Sequence, residues 1–431
     1  MTLIDKIKKG DIPLFIKEIA NFEEVTEDFL LDKILKGRAV IPDNEAHSNK
    51  RRVAIGEGMN VKINVNIGTS LDKIDLNLET RKIELSERLK ADTIMDLSVG
   101  GDIAKIRREL ISKTVLPFGT VPLYEAAARC SDREGSFATA STEDFFEVLE
   151  GQAREGVDFF TIHAGITADC IDKIKRYERE LDIVSRGGAL MLEWMIVNER
   201  ENPFYEYFDR VLEITKKYDV TISLGDALRP GSIFDAGDSL QYHETFIVSD
   251  LVRRARDYGV QTMVEGPGHV PLNKIEHEIK AIKEIIGGAP LYVLGPLIID
   301  SAAGYDHINA AIGASIAAYS GADFLCYLTP AEHLSLPDIN DVRDGIMAFK
   351  IAAQAVNFCR GKERAVQREL KVNRARKERD WEEQMKFFLD SEKASEYHNK
   401  IPPGIKDTCS MCSKFCSIKI VEKYLNKKFA V

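Results

Sequence analysis

Short apolar runs, each closed by a polar or glycine-bearing turn and followed by a longer stretch of helical period, recur along most of this chain. They are VKINVNIG (61–68), DTIMDLS (92–98), LPFGTVPLY (116–124), VDFFTIHAG (157–165), DIVSRGG (182–188), VTISLGD (220–226), QTMVEGPGH (261–269), PLYVLGP (290–296) and ADFLCYLTP (322–330). Intervening segments such as SLQYHETFIVSDLVRRARDYG and LNKIEHEIKAIKEIIGG are amphipathic and end in glycine, a common helix stop. Strand alternating with helix predicts parallel βα units. These nine runs are one more than a (β/α)8 barrel holds, so the first is assigned to an N-terminal subdomain or the barrel entrance and the other eight to a TIM-type α/β barrel. A doubly wound open sheet is the competing architecture, but no G-x-G-x-x-G follows an early strand. Beyond residue 340 the pattern turns helical and highly charged, in AVQRELKVNRARKERDWEEQMKFFLDSEKASEYHNK, until IPPG breaks it. The organisation read from this is an N-terminal subdomain at 1–75, a catalytic barrel at 76–345 and a helical C-terminal domain carrying a cysteine loop at 346–431.

Composition narrows the class. Hydrophobic residues at 44% and charged residues at 30% are those of a globular enzyme. A net charge of -10 removes general nucleic-acid binding, which needs clustered cations to neutralise phosphates. The start, MTLIDKIKKGDIPLFIKEIA, has no continuous apolar stretch behind its lysines, so a cytoplasmic protein is expected. The segment INAAIGASIAAYSGADFLCYL (308–328) is apolar enough to consider as a membrane span, but Asn309, Asp323 and its glycines interrupt it. A buried helix followed by a strand is expected there. Seven cysteines, an odd number, favour metal or redox chemistry over a disulfide framework. Cys130, Cys170, Cys326 and Cys359 are isolated in sequence, and ordinary burial is expected of each.

A barrel presents its active site at the C-terminal ends of its strands, and here nearly every run ends in a polar side chain. Among them are Asp96, Ser98, Tyr124, His163, Asp226, Glu265, Tyr292 and Glu332. One such residue is a loop hydrogen bond; a full ring of them is a site. SRGG and GDALRPGS join a guanidinium and hydroxyls to glycines that free backbone N–H groups, which suits a phosphate or carboxylate. His269 in EGPGHVP and His333 in TPAEHLSLP sit in turns stiffened by Gly or Pro, a setting that can aim two imidazoles at one divalent ion or simply hold two neutral hydrogen-bonding histidines.

DTCSMCSKFCSIKI (407–420) packs Cys409, Cys412 and Cys416 into eight residues, with no further cysteine before the end. A structural zinc would need a fourth ligand from afar, such as His398 or an acid. A four-iron cluster held by three thiolates instead keeps one iron open, which is what reductive cleavage of S-adenosylmethionine uses. Spacing alone leaves both alternatives standing.

Taken in order, KINVNIG, MDLSVGGD, VPLYEA, FFTIHAG, DIVSRGG, SLGDALRPGS, MVEGPGHVP, GYDHI, ADFLCYLTPAEHL and CSMC resemble the radical S-adenosylmethionine family of phosphomethylpyrimidine synthase and its paralogue 5-hydroxybenzimidazole synthase. The resemblance runs from about residue 50 to 420. It implies a (β/α)8 barrel, a homodimer, an external electron donor that the sequence does not name, and 5-aminoimidazole ribotide as the substrate of both branches. It also implies roles. Asn66, Met95, Tyr124 and His163 would line the ribotide site, with Ser185, Arg186 and Gly187 from one loop. Asp226, Ala227, Leu228 and Arg229 would join them from another, and Glu265 and Tyr292 from two more strands. His163 and Glu265 would carry proton transfers, His269 and His333 would hold zinc or a similar ion, and Cys409, Cys412 and Cys416 would bind a [4Fe-4S] cluster with S-adenosylmethionine.

The chain departs from the family pattern in two places, the first bearing on cluster geometry and the second on the product. Longer family members have four residues between the second and third cysteine, against three here. In IIDSAAGYDH, Ile299, Ser301 and Ala303 stand where the pyrimidine-forming branch typically has Thr, Ile and Pro, and Ser335 stands where it usually has Gly. These changes flank the ligands without removing them. The expectation drawn from them is conversion of 5-aminoimidazole ribotide to 5-hydroxybenzimidazole, a cobalamin lower-ligand precursor, with the thiamine pyrimidine phosphate as the alternative product.

Overall fold

The computed structural model describes residues 1–48, 50–134, 136–405 and 407–425. It divides into two compact units, Met1–Val356 and Asn357–Val431.

The first unit is built on a closed barrel of eight parallel strands: β1 (Lys62–Ile67), β2 (Thr93–Asp96), β3 (Phe118–Thr120), β4 (Phe159–Ile162), β5 (Thr221–Leu224), β6 (Thr262–Gly266), β7 (Leu291–Leu294) and β8 (Phe324–Cys326). Closure comes from β8 pairing back onto β1, with Phe324 opposite Lys62 and Cys326 opposite Asn64. Helices on the outside and packed side chains within bury nearly every strand position, as parallel sheets require. Shape matching inside is tight: a Cβ on Gly119 would lie 2.2 Å from the Phe159 ring, so the glycine in short β3 makes room for that aromatic. Tyr292 stacks on Phe324 with centroids 4.2 Å apart.

Strand counting misassigned two runs. The 61–68 run, placed outside the barrel, is its first stave, and 182–188 is not a strand. In DIVSRGG the hydroxyl of Ser185 accepts the N–H of Gly188, so the residue caps the helix Arg186–Asn198. Helix-capping chemistry wins there over a brief Ile183–Val184 pair, of which Val184 is exposed.

The other end of the barrel is sealed. Helices Leu3–Lys8, Phe15–Glu23 and Glu27–Leu35 share a small core of their own, with Leu3, Ile16 and Leu30 among its members. Asp219 and Gln261, just before β5 and β6, bind the backbone of Leu3 and Ile41. Before β4, Asp158 takes His47 Nδ1 at 2.7 Å. Buried Lys50 lies 2.7 Å from Asp43 and 3.6 Å from Asp158, and also donates to the carbonyls of Asn44 and His47. Ligands therefore reach the barrel from the C-terminal ends of the strands.

The apolar 308–328 stretch forms the helix Asp306–Ser320 and then β8, but Ile308, Ile312 and Tyr319 on that helix are exposed. Among the described residues no helix is long and apolar enough to cross a membrane.

The second unit contains the helices Glu363–Glu378, Trp381–Phe387, Ser391–Lys400 and Ser417–Leu425. Asp380 and Asp390 cap the second and third through the N–H groups of Glu383 and Lys393. Arg379 pairs with Glu422 at 2.8 Å, tying the end of the first helix to the last.

Candidate active site

Eight of the residues expected to bind substrate line one cavity of about 500 Å³ at the C-terminal ends of the strands: Asn66, Met95, Tyr124, His163, Asp226, Arg229, Glu265 and Tyr292. Each comes from a strand end or the connection after it. Glu265 is anchored from inside the barrel, its Oε1 accepting the hydroxyls of Thr161 at 2.6 Å and Ser223 at 3.3 Å. Arg229 donates to the Asp226 carboxylate at 3.0 Å. Burial raises the pKa of Glu265, with Arg229 opposing, and raises that of Asp226 well above the ordinary carboxylate range. Both acids hold protons more readily than exposed ones, and both lie within the electrostatic reach of Arg229. His163 is buried, and burial followed by the Arg229 charge lowers its pKa to about 3. Its Nδ1 has no hydrogen-bond partner among the described residues. The site thus carries a neutral imidazole, two easily protonated carboxyls and a fixed guanidinium.

The remaining expected ligands stand behind this lining. Arg186 is exposed, with its guanidinium 5.2 Å from the centroid of the Tyr124 ring. Gly187 presses against His163: a Cβ there would lie 2.2 Å from Cε1. Ser185, Ala227 and Leu228 are buried, and the N–H groups of Ala227 and Leu228 are taken by the Glu244 carboxylate at 2.7 and 2.6 Å. Sequence reasoning missed several participants. Cys326 at the end of β8 lines the cavity and accepts the Asn66 amide at 3.1 Å, although it was read as an ordinary buried thiol. Cys130 and Cys170 are buried, whereas Cys359 is exposed. Thr161 and Ser223 carry no motif of their own; Thr161 shares a strand face with His163 two residues on, and nothing in the sequence marks Ser223.

His269 and His333 lie together, ring centroids 5.7 Å apart. His269 Nδ1 is 2.9 Å from Asp300 Oδ1, and His333 Nδ1 is 3.4 Å from Asp306 Oδ1. A carboxylate on Nδ1 turns the other ring nitrogen outward and makes it a better donor, so the pair fits a divalent metal. His333 holds this place at φ 62°, a left-handed conformation rare outside glycine and asparagine. Among the described residues another three-residue donor group exists, Asp169, Cys170 and His243. The Lys173 ammonium, 3.0 Å from Asp169 and 2.9 Å from His243, already supplies its positive charge.

In the second unit, Cys409, Cys412 and Cys416 surround the short turn Ser413–Phe415 and are half-buried. Backbone N–H groups of Cys412 and Met411 lower the pKa of the Cys409 thiol, which favours the ligating thiolate. Burial and the neighbouring Cys409 and Cys416 raise that of Cys412, a like-charge effect that a bound cationic metal reverses. His398, weighed as a distant zinc ligand, instead stacks on Trp381 at 4.1 Å.

A family model described as the Radical SAM ThiC family matches residues 2–423. The chain belongs to the radical SAM ThiC family. Its relatives include proteins named phosphomethylpyrimidine synthase from Caldanaerobacter subterraneus subsp. tengcongensis, 49% identical over 99% of this chain and 98% of that protein, and from Thermoanaerobacter sp. strain X514, 48% identical with the same coverage. A third, from Archaeoglobus fulgidus, is 47% identical over 98% of this chain and 99% of its own. Membership of a radical SAM family implies an iron-sulfur cluster and S-adenosylmethionine as cofactors.

These names overturn the expected benzimidazole product. They also replace the description of an enzyme defined by its action on 5-aminoimidazole ribotide, because the radical SAM ThiC relatives are named for phosphomethylpyrimidine. The structure supplies the physical reason for the misreading. Ile299, Ser301, Ala303 and Ser335 are all exposed loop residues, and none lines the cavity. Substitution there leaves the pocket that shapes the product untouched.

Proposed function

We propose that this chain is a phosphomethylpyrimidine synthase, forming 4-amino-5-hydroxymethyl-2-methylpyrimidine phosphate for thiamine by radical chemistry in the cytoplasm. The observation that carries the reading is 49% identity over 99% of the chain to a protein of that name. The polar ring around the cavity supports it. When bound, the [4Fe-4S] cluster on Cys409, Cys412 and Cys416 and its S-adenosylmethionine supply a 5'-deoxyadenosyl radical. This chain's own residues then bind and orient. Arg229, with Ser185 and Arg186 at a helix N-terminus, receives the phosphate of a small anionic substrate. Met95, Tyr124 and Tyr292 enclose its ring and exclude water, while Asn66 and Asp226 fix its polar edges. Glu265 and the neutral His163 accept and return protons at the substrate. His269 and His333, each braced by an aspartate, hold a zinc or similar ion, and the working enzyme is a homodimer.

Complementation tests the reading. In a bacterium lacking its own phosphomethylpyrimidine synthase, the chain restores growth without added thiamine, and Cys412→Ala does not. Failure of the intact chain to restore growth, or growth supported by the Ala variant, overturns it. In vitro, the anaerobically purified protein releases 5'-deoxyadenosine from S-adenosylmethionine and Cys412→Ala releases none.

A further inference from the structure

The residue before Arg229 is gripped on both sides of its peptide. Glu244, 3% exposed on the helix Ser239–Tyr258, spends one oxygen on the N–H of Ala227 at 2.7 Å and the other on that of Leu228 at 2.6 Å. Arg179, whose side chain is 1% exposed, donates Nη2 to the Leu228 carbonyl at 2.8 Å. The same guanidinium forks onto Asp238 at 2.6 and 2.8 Å, and Asp238 caps the helix that carries Glu244. Burying a carboxylate is costly, and the two amides offset that cost for Glu244 ahead of the Arg229 and Arg179 charges. Two successive amides are the chief compensation, and their common carboxylate plane fixes the orientation of the Ala227–Leu228 peptide. With the next carbonyl held as well, the backbone enters Arg229 in one direction.

The grip also joins two loops. Arg179 lies in the segment that feeds Ser185, and the N–H groups of Glu180 and Leu181 donate to Asp235 in the loop after Arg229. Glycines permit the closeness: a Cβ on Gly231 would lie 2.2 Å from Val184, one on Gly188 2.6 Å from the Ala227 carbonyl, and one on Gly165 2.7 Å from Glu244 Cγ. The SRGG and DALRPGS segments are one stitched unit.

We infer that Glu244 and Arg179 are positioning residues that aim Arg229 at the phosphate of the bound pyrimidine, an inference resting on the phosphomethylpyrimidine reading. Neither residue touches the ligand. Their effect is largest at the phosphate end, because Glu265, Tyr292 and Asn66 are fixed independently by the strands and Asp226 alone among these ring contacts shares the stitched loops. Glu244→Gln keeps the size but leaves one acceptor and sets an N–H₂ against a backbone N–H. Arg179→Lys keeps the charge but loses the planar fork that spans Asp238 and Leu228.

The test compares two probes by calorimetry on the full chain: 4-amino-5-hydroxymethyl-2-methylpyrimidine phosphate and the corresponding unphosphorylated alcohol. The wild type prefers the phosphate. In both variants the ratio of the two affinities falls about tenfold, the scale of a lost charge-assisted contact, while affinity for the alcohol falls far less than that for the phosphate. A merely structural role weakens both probes together and leaves the ratio intact. That ratio, intact in whichever variant folds, overturns the positioning role while sparing the wider reading. A wild type that does not distinguish the probes overturns the phosphate reading itself.

Discussion

Adding a single methyl group at Gly187 tests how the site holds His163. An ideal Cβ at this position lies 2.2 Å from Cε1, 2.5 Å from Nδ1 and 2.7 Å from Nε2 of that ring. Carbon atoms rest at about 3.5 Å or more, so the ring or the start of the helix has to move by roughly 1.3 Å. The ring has little room to retreat. The ring is buried, and Asn202 ties the His163 carbonyl at 2.8 Å. Overpacking of this kind costs about 1–3 kcal/mol. For a unit spanning Met1–Val356, an unfolding entropy of about 2.1 cal/mol/K per residue sums to about 0.75 kcal/mol/K. The melting temperature of Gly187→Ala therefore falls by about 1–4 °C. Calorimetry on a double-mutant cycle isolates the contact: with His163→Ala in place, the methyl enters vacated space and its cost drops below about 0.5 kcal/mol. Equal losses in the two backgrounds would refute the packing argument, whatever their size.

Three other outcomes follow from the geometry. His163 has a folded pKa of about 3 against 6.5 for the free side chain, so the unfolded chain binds the extra proton and the stability present above pH 6.5 is lost as pH falls toward 3. Between pH 7 and pH 5 the wild type loses about 2 kcal/mol more than His163→Gln in denaturant unfolding, and parallel declines would sink the idea. Asp300→Asn withdraws the carboxylate from His269 Nδ1 and, for the zinc site proposed above, lowers metal affinity about 10- to 100-fold in chelator competition; unchanged affinity, or no zinc bound by the wild type, counts against that proposal. Lys50→Met withdraws the buried ammonium from Asp43 and Asp158, leaving Asp43 to Arg52 and Asp158 to His47, and costs about 1–3 kcal/mol by thermal unfolding, so a melting temperature equal to that of the wild type contradicts the role given to this ammonium.

The barrel was legible because βα alternation is a local signal: each stave announced itself by a short apolar run with a polar end. Where reading failed, tertiary context had decided. The 61–68 run looks like the others, and only closure of β8 onto β1 reveals it as a stave. The 182–188 run was misjudged because a serine cap and two glycines outweigh two apolar residues. At the site, strand-end positions pointed to Tyr124, His163, Asp226 and Glu265, which share one cavity, whereas Asn66 came only from the family resemblance. The supporting layer was illegible, since Glu244 sits within an ordinary amphipathic helix and Arg179 in an unremarkable charged loop. Their function follows from which backbone atoms they reach, and chain order does not encode that directly.

Both imidazoles of the histidine pair lean on aspartates at one connection, Asp300 in the stretch between β7 and the next helix and Asp306 at the first position of that helix. Between those anchors Ser301 and Ala303 face water. Such a stretch works as a spacer gauge: the identity of the intervening side chains is free to drift, whereas gaining or losing one of them would pull two supports out of register at once. Comparing homologues at this connection by its count of residues is accordingly more informative than comparing it letter by letter.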